Sequence, residues 1–553
     1  MSRTNCFLVC VALLFGLAIE TEAQTFTPVS VDAAEAARWR EDLRFLAQEM
    51  PRVHRNLFHT MKPVQFEAAI KRLDERIPTL GRHQIIVEME RIVAMVGDGH
   101  TNISPTRDPK IGFHTLPIKF YWFKDGWYIR AATREHAELI GARVLKIGNV
   151  PMVQAYAKAR DLIGRDNEMD AKFFAPQLMV MPEVLQALGL SDNTVAGHFT
   201  VEQAGKERDI VLAPYGPAEM MPSDTDATWV MKPEWMDARD IQPSAKSALW
   251  LRDPLNKFWF QYLADSKTLY VQLNQVGNKD DETLAMFAGR LSSFMETNPV
   301  DRLVLDLRLN RGGNGGLNRP LLVALIKSKL DQPGKFFTLI GRSTFSAAQF
   351  LINDLEKYSN TIFIGEPSGG KVNSYGDSKK IMLPNSGITV RVSTLWWQED
   401  ERDHRQWTAP LIAAELAFAD YRAGVDPALN AAIGYVAKKP LGRSLREAMA
   451  AGTLAVRYRE WKADPANASV DTESILIDLG YELLGAKKFA AAIEVFQLNV
   501  ADASNSANAF DSLGEAYAAA GNRELAIKSY ERALEIDPKL ASAIEALKKL
   551  RGK

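Results

Sequence analysis

The hydrophobic period changes along the chain. Between residues 30 and 97 apolar positions recur every three or four residues. In AARWREDLRFLAQEM the stripe is Trp39, Leu43, Leu46 and Met50, and in HQIIVEMERIVAMVG it is Ile86, Met89, Ile92 and Val96. This spacing predicts amphipathic helices. From 113 to 215 the period shortens. IKFYWF, GWYIRAA, ARVLKIGN and FTVEQ read as short strands broken by Gly, Asp and Asn. Residues 216–245, rich in Met, Pro and Asp, read as a loop. Between 250 and 436 the strand patterns TLYVQL, DRLVLDLRL, FFTLI and TIFIG alternate with the helix patterns ETLAMFAGRLSSFME, LNRPLLVALIKSKL and SAAQFLINDLEKY. Such alternation predicts an α/β domain with mainly parallel strands.

The last eighty residues repeat themselves. Leu479, Gly480, Ala492 and Phe496 recur as Leu513, Gly514, Ala526 and Tyr530, each 34 positions later. Tyr517, Ala533 and Pro538 complete a tetratricopeptide pattern in the second copy, whereas the first departs from it at Leu483 and Asn499. LASAIEALKKL reads as a capping helix. Two copies are too few for a free-standing array, so they are expected to lean on a helix near SLREAMAAGTLAVRYREW. The expected layout is a multidomain α/β protein. It comprises a leader at 1–23, an N-terminal helical domain at 24–112 and a β-rich domain with its loop at 113–245. An α/β core at 246–436, a helical linker at 437–470 and the repeats at 471–553 follow. Gly141–Ile147, followed by Asn149 and Pro151, is similar to the closing strands of a PDZ domain.

Charge narrows the function classes. Lys and Arg number 67 against 68 Asp and Glu, a net charge of −1, so no basic field draws in nucleic acid or an anionic membrane. The first residues read as an export signal: Arg3 precedes an apolar core from Phe7 to Ile19, and Thr21 and Ala23 are small residues at the cleavage site. The apolar run is too short for a stable membrane span, and Gln24 replaces the cysteine of a lipoprotein signal. The expected location is therefore the periplasm or the extracellular space. Both cysteines, Cys6 and Cys10, fall inside this leader, which removes cysteine nucleophiles and cysteine metal sites from the mature chain.

Candidate chemistry centres on KFFTLIGRSTFSAAQFLINDL. Ser346 stands where a strand pattern gives way to a helix pattern. Ser346 and Gln349 form a capping-box spacing, which is a structural explanation for the serine. The same junction also suits a nucleophile, since it presents a hydroxyl at the carboxyl end of a strand beside helix amides. VLDLRLNRGGNGG then supplies Gly312 and Gly313, whose backbone can approach a reacting carbonyl. Gly365–Lys371 resembles a phosphate loop but ends in Val372, which has no hydroxyl for magnesium, and GxGxxG is absent, so no nucleotide cofactor is expected. HExxH is also absent, and His54 and His59 are wrongly spaced for one helix face, so no metal is expected. Lys371 and His100 remain as candidate bases.

In combination, GDGHT at 97–101, DLRLNRGG at 306–313, STFSAAQF at 343–350 and IGEPSGGK at 364–371 resemble the tail-specific, or carboxyl-terminal processing, serine proteases. That family includes the tricorn core and the interphotoreceptor retinoid-binding protein. The resemblance spans about residues 35–435. It implies a crotonase-like core and a serine endopeptidase acting through an acyl-enzyme on unfolded or C-terminal segments. It makes Ser346 the nucleophile, and the amides of Gly312 or Gly313 and of Ala347 the oxyanion hole; Ser343 is the lesser candidate nucleophile. Within the family, a lysine in an element like Gly370-Lys371 or a histidine in one like GDGHT serves as base, and this chain carries both. The histidine route also implies an acid after the serine, for which Glu399, Asp400, Glu401 and Asp403 are available. Other members of the fold bind apolar ligands without proteolysis, which leaves a binding protein as the alternative. The repeats imply a protein partner.

Overall fold

The computed structural model describes residues 30–221, 224–241, 247–436, 441–463, 467 and 470–552. The leader lies outside the described residues. The chain divides into two units, Met1–Tyr435 and Val436–Lys553.

The first unit opens with three helices, Ala33–Val53, Pro63–Arg76 and Arg82–Ala94. Asp32 caps the first by accepting from the Glu35 amide at 2.7 Å. Both expected stripes are buried. The following sheet is antiparallel and runs through Ile118–Phe123, Gly126–Thr133, Arg143–Ile147, Gly197–Gln203 and Lys206–Leu212. Three helices interrupt it: Met152–Arg160, Glu168–Leu178 and Pro182–Ala187. The strand reading of 113–215 passed over them. The N-terminal helices and this sheet share one continuous core, which also takes in Ile381, Val390 and Val392 of a hairpin, Ser374–Met382 with Thr389–Trp397.

The α/β segment forms a six-stranded sheet in the order Phe258–Leu263, Thr268–Leu273, Arg302–Asp306, Phe336–Ile340, Ile362–Gly365, Ile412–Ala413. The first pair is antiparallel and the rest are parallel. Side-chain alternation sorts its residues onto two faces. Leu269, Val271, Leu303, Leu305, Phe336 and Ile340 pack under the helices Leu284–Thr297, Asn318–Ile326 and Ala347–Tyr358. Tyr270, Val304, Phe337, Leu339 and Ile364 pack against Ala428, Leu429 and Ala432 of the helix Pro427–Gly434. Helices on both faces bury the central strands completely, which is why they read as unbroken apolar runs. The parallel strands deliver the loops after Asp306 and Ile340 to one edge, and the candidate site forms there.

The second unit is helical throughout its described residues. Leu441, Leu445, Leu454 and Tyr458 of the helices Leu441–Ala450 and Leu454–Ala463 join Leu476, Leu479, Phe496, Leu513 and Tyr530 in one core, so the repeats do lean on the segment before them. A Cβ at Gly480 would stand 2.3 Å from the Phe496 ring, so only glycine lets the two helices of the first repeat close up.

Candidate active site

The nucleophile candidate is held by its backbone. Thr344 pins the turn after strand Phe336–Ile340: its hydroxyl accepts from the Gly341 amide at 3.0 Å and donates to the Leu307 carbonyl at 3.0 Å. The Phe345 amide donates to the Asn310 carbonyl at 3.1 Å. Ser346 then adopts φ 53° and ψ −122°, and the helix Ala347–Tyr358 starts directly after it. A positive φ in a residue with a Cβ costs roughly 1–3 kcal/mol and persists only where its surroundings impose it. The capping-box expectation fails here. Ser346 makes no side-chain cap bond, and the Gln349 amide donates instead to Asn353 Oδ1 at 2.8 Å and Thr408 Oγ1 at 2.9 Å. In this conformation the Ser346 side chain turns away from the helix amides. Ser343 is buried and donates to Asp226 at 2.9 Å, a structural role.

Asp98 builds the loop that presents His100. One carboxylate oxygen accepts from the His100 amide at 3.0 Å, the Thr101 amide at 2.8 Å and the Ser393 hydroxyl at 2.7 Å. The other is bonded to His54 Nε2 at 2.9 Å. Asp166 adds a second anchor by accepting from the Gly99 amide at 2.8 Å. His100 Nε2 lies 3.0 Å from Ser346 Oγ, and its ring stacks on Phe345 with centroids 4.6 Å apart. Desolvation holds the imidazole below its ordinary pKa of 6.5, with Arg311 and Arg107 adding to the depression while Asp166 and Asp98 oppose it. The ring is therefore neutral at pH 7, with a lone pair available to the serine when the proton sits on Nδ1.

Lys371 is not brought to this pair. Its amide donates to Asp166 at 3.3 Å, and its side chain makes no hydrogen bond or ion pair among the described residues. Nor does any acid of the segment 399–403 bond to His100 among the described residues, although Glu399 lines the same cleft. Glu399 pairs with Lys357 at 2.8 Å, Asp400 with Arg402 at 3.1 Å and Asp403 with Arg405 at 2.7 Å, and Glu401 is exposed. The acids whose charge acts on the imidazole are Asp166 and Asp98, and His100 Nδ1 itself is buried with no hydrogen-bond partner among the described residues. Asp98 was visible within GDGHT but carried no assigned role. Asp166 lies in GRDNEMD, a segment the sequence reading did not single out. Asn167 caps the helix Glu168–Leu178, accepting from the amides of Met169 and Asp170.

The glycine loop presses against the serine. Arg308 ties Asp306 to Asp426 and fixes the base of the loop. Asn310 is fully buried; it donates to the Leu273 carbonyl at 3.0 Å and accepts from the Gly312 amide at 2.8 Å. The Gly312 amide is thus occupied. Gly312 has φ 114°, and a Cβ there would fall 2.7 Å from Ser346 Cβ. Gly313 has φ 125°, and a Cβ there would fall 2.2 Å from the Val276 carbonyl oxygen. Val276 bonds to the Gly312 carbonyl and to the Asn314 amide on either side. The amides of Gly313 and Ala347 make no hydrogen bond among the described residues. The pair opens into a cleft of about 1080 Å³ lined by His100, Ser346, Gly313, Phe350 and Trp397 among others. No group of His, Asp or Glu among the described residues is arranged to hold a metal ion.

With this geometry in place, known structures give a counterpart. Mature CPAF complexed with lactacystin superposes with a TM-score of 0.51 over 71% of this chain and 96% of that one, at 12% identity. The fold resembles that of mature CPAF. A second structure of mature CPAF gives a TM-score of 0.48 at 12% identity, covering 71% of this chain and 95% of that one. The photosystem II D1 C-terminal processing protease covers 72% of this chain and 99% of its own at 13% identity, with a TM-score of 0.31. The tetratricopeptide repeat family model matches residues 507–540. No curated protein matches the sequence.

Proposed function

We propose that this chain is an exported serine peptidase of the tail-specific protease type, with a crotonase-like core. It hydrolyses peptide bonds in unfolded or C-terminal segments through an acyl-enzyme on Ser346. The observation that carries the reading is the 3.0 Å approach of His100 Nε2 to a serine oxygen held at positive φ at a strand-to-helix junction. His100 takes the Ser346 proton as Oγ attacks the carbonyl carbon, and the imidazolium returns it to the leaving amine. The unpaired amides of Gly313 and Ala347 donate to the oxyanion, and the amino end of the helix Ala347–Tyr358 adds its dipole. Water then attacks the acyl-enzyme with His100 again acting as base. Asp98 and Asp166 position the histidine and support its transient charge.

The test is digestion of unfolded casein by the purified protein and by Ser346→Ala. Cleavage by the first and none by the second is expected. A protein that leaves casein intact but extracts an apolar ligand would contradict the reading.

A further inference from the structure

A small cavity lies beside the loop that carries His100, separate from the large cleft. Its volume is about 30 Å³, room for one or two bodies the size of a water molecule at roughly 10–15 Å³ each. Glu90 lines it from the helix Arg82–Ala94, Asn102 from the segment just after His100, and Gln177 from the helix Glu168–Leu178. Glu90 is 3% exposed.

Each of these three residues buries an oxygen that has no hydrogen-bond partner among the described residues: Glu90 Oε2, Asn102 Oδ1 and Gln177 Oε1. The two amides are oriented by their nitrogens. Asn102 Nδ2 donates to the Gly99 carbonyl at 3.3 Å, and Gln177 Nε2 donates to the Phe173 carbonyl at 3.2 Å. Flipping either amide would set oxygen against oxygen, so both buried oxygens are acceptors in want of a donor. The hydroxyls of Ser104 and Thr106, on the same wall, bond to each other at 3.2 Å. Arg107 also lines the cavity, yet it is the charge of Arg91 that acts on Glu90, and Arg91 Nε lies 3.6 Å from Glu88 instead.

A buried carboxylate and two buried amide oxygens without partners are costly. A proton on Glu90 could satisfy only one of the two amides, whereas a cation meets all three oxygens at once. Carboxylate and carbonyl oxygens are the ligands that hard cations take. One carboxylate beside neutral oxygens carries a single negative charge, which a monovalent ion neutralises and a divalent ion would exceed.

We propose that Glu90, Asn102 and Gln177 hold an alkali-metal cation. Asn102 links the ion to the catalytic loop, since its side chain bonds to Gly99 and its main chain pairs with Arg391. The ion therefore ties the His100 loop to two helices.

The experiment reads stability, so it stands or falls independently of the peptidase reading. Thermal unfolding of the full chain is followed in choline chloride, with lithium, sodium or potassium chloride substituted at constant ionic strength. A saturable rise in Tm of roughly 2–4 °C with one of these ions is expected, and the ion that acts at the lowest concentration identifies the occupant. Glu90→Gln is expected to abolish the rise. Gln177→Leu keeps the carboxylate and removes one oxygen, and is expected to raise the half-saturating concentration roughly tenfold. Equal Tm in choline and in all three salts overturns the proposal and leaves a water beside a protonated Glu90; this comparison requires no variant to fold. A response to calcium or magnesium alone overturns it as well. So does an alkali response that Gln177→Leu leaves unchanged, because the ion then sits elsewhere.

Discussion

At the scale of single residues, function turns on where one proton goes. On the proposed reading His100 serves as the base, because its Nε2 lies 3.0 Å from the Ser346 hydroxyl, whereas no hydrogen bond joins Lys371 to that hydroxyl among the described residues. His100→Ala is expected to lower kcat by roughly 10²–10⁴-fold, while Lys371→Ala stays within about threefold, read as steady-state peptide cleavage. The pH profile follows from the depressed imidazole. A base works in its neutral form, and that form prevails above the folded-state pKa. The acid limb of kcat/KM should therefore have its midpoint below 6.5 and level off by neutrality. A limb centred well above 7 would point to a lysine. Ser346, His100 and the glycines were legible in the sequence because each sits in a short motif whose residue types serve only a few purposes. The capping box was misread because a positive φ leaves no local trace in residue types. Among the acids acting on His100, Asp166 was not legible, since it reaches the ring only through the folding of a distant segment, and 399–403 offered four acids with nothing in the spacing to choose between them.

At the scale of elements, loops are placed by their neighbours. The glycine loop depends on Val276 and Asn310, neither of which stood out in the sequence. Gly313→Ala would drive a methyl into the Val276 carbonyl and displace the Gly313 amide. It is expected to lower kcat roughly 10²–10³-fold with a smaller change in KM. Wild-type kcat in that variant would exclude Gly313 from the oxyanion hole. In the second unit, Gly480→Ala would press a methyl into the Phe496 ring, with an expected loss of about 1–3 kcal/mol in denaturant unfolding. The alternation of strand and helix from 250 onward was legible because each strand is short, apolar and bounded by turns. The helices between 152 and 187 were not. Their apolar stripes are brief, and Gly and Asp breaks on either side resemble those between strands.

At the scale of the whole molecule, the chain is two units with separate cores. No residue of the repeat core belongs to the cores of Met1–Tyr435. A chain ending at Tyr435 is expected to fold and keep its cleavage of short peptides, as read by circular dichroism and peptide turnover. The repeats are then free to serve a protein partner. The strand–helix alternation and the terminal repeat were legible in the sequence. The merging of the N-terminal helices, the antiparallel sheet and the late hairpin into one core was not, because that packing joins residues hundreds of positions apart. The most direct measurement of the central claim is the rate and site of fluorophosphonate modification by peptide-mapping mass spectrometry. The expected result is one adduct on Ser346, formed far more slowly in His100→Ala. An adduct on any other residue, or a Ser346 rate indifferent to His100, would contradict it.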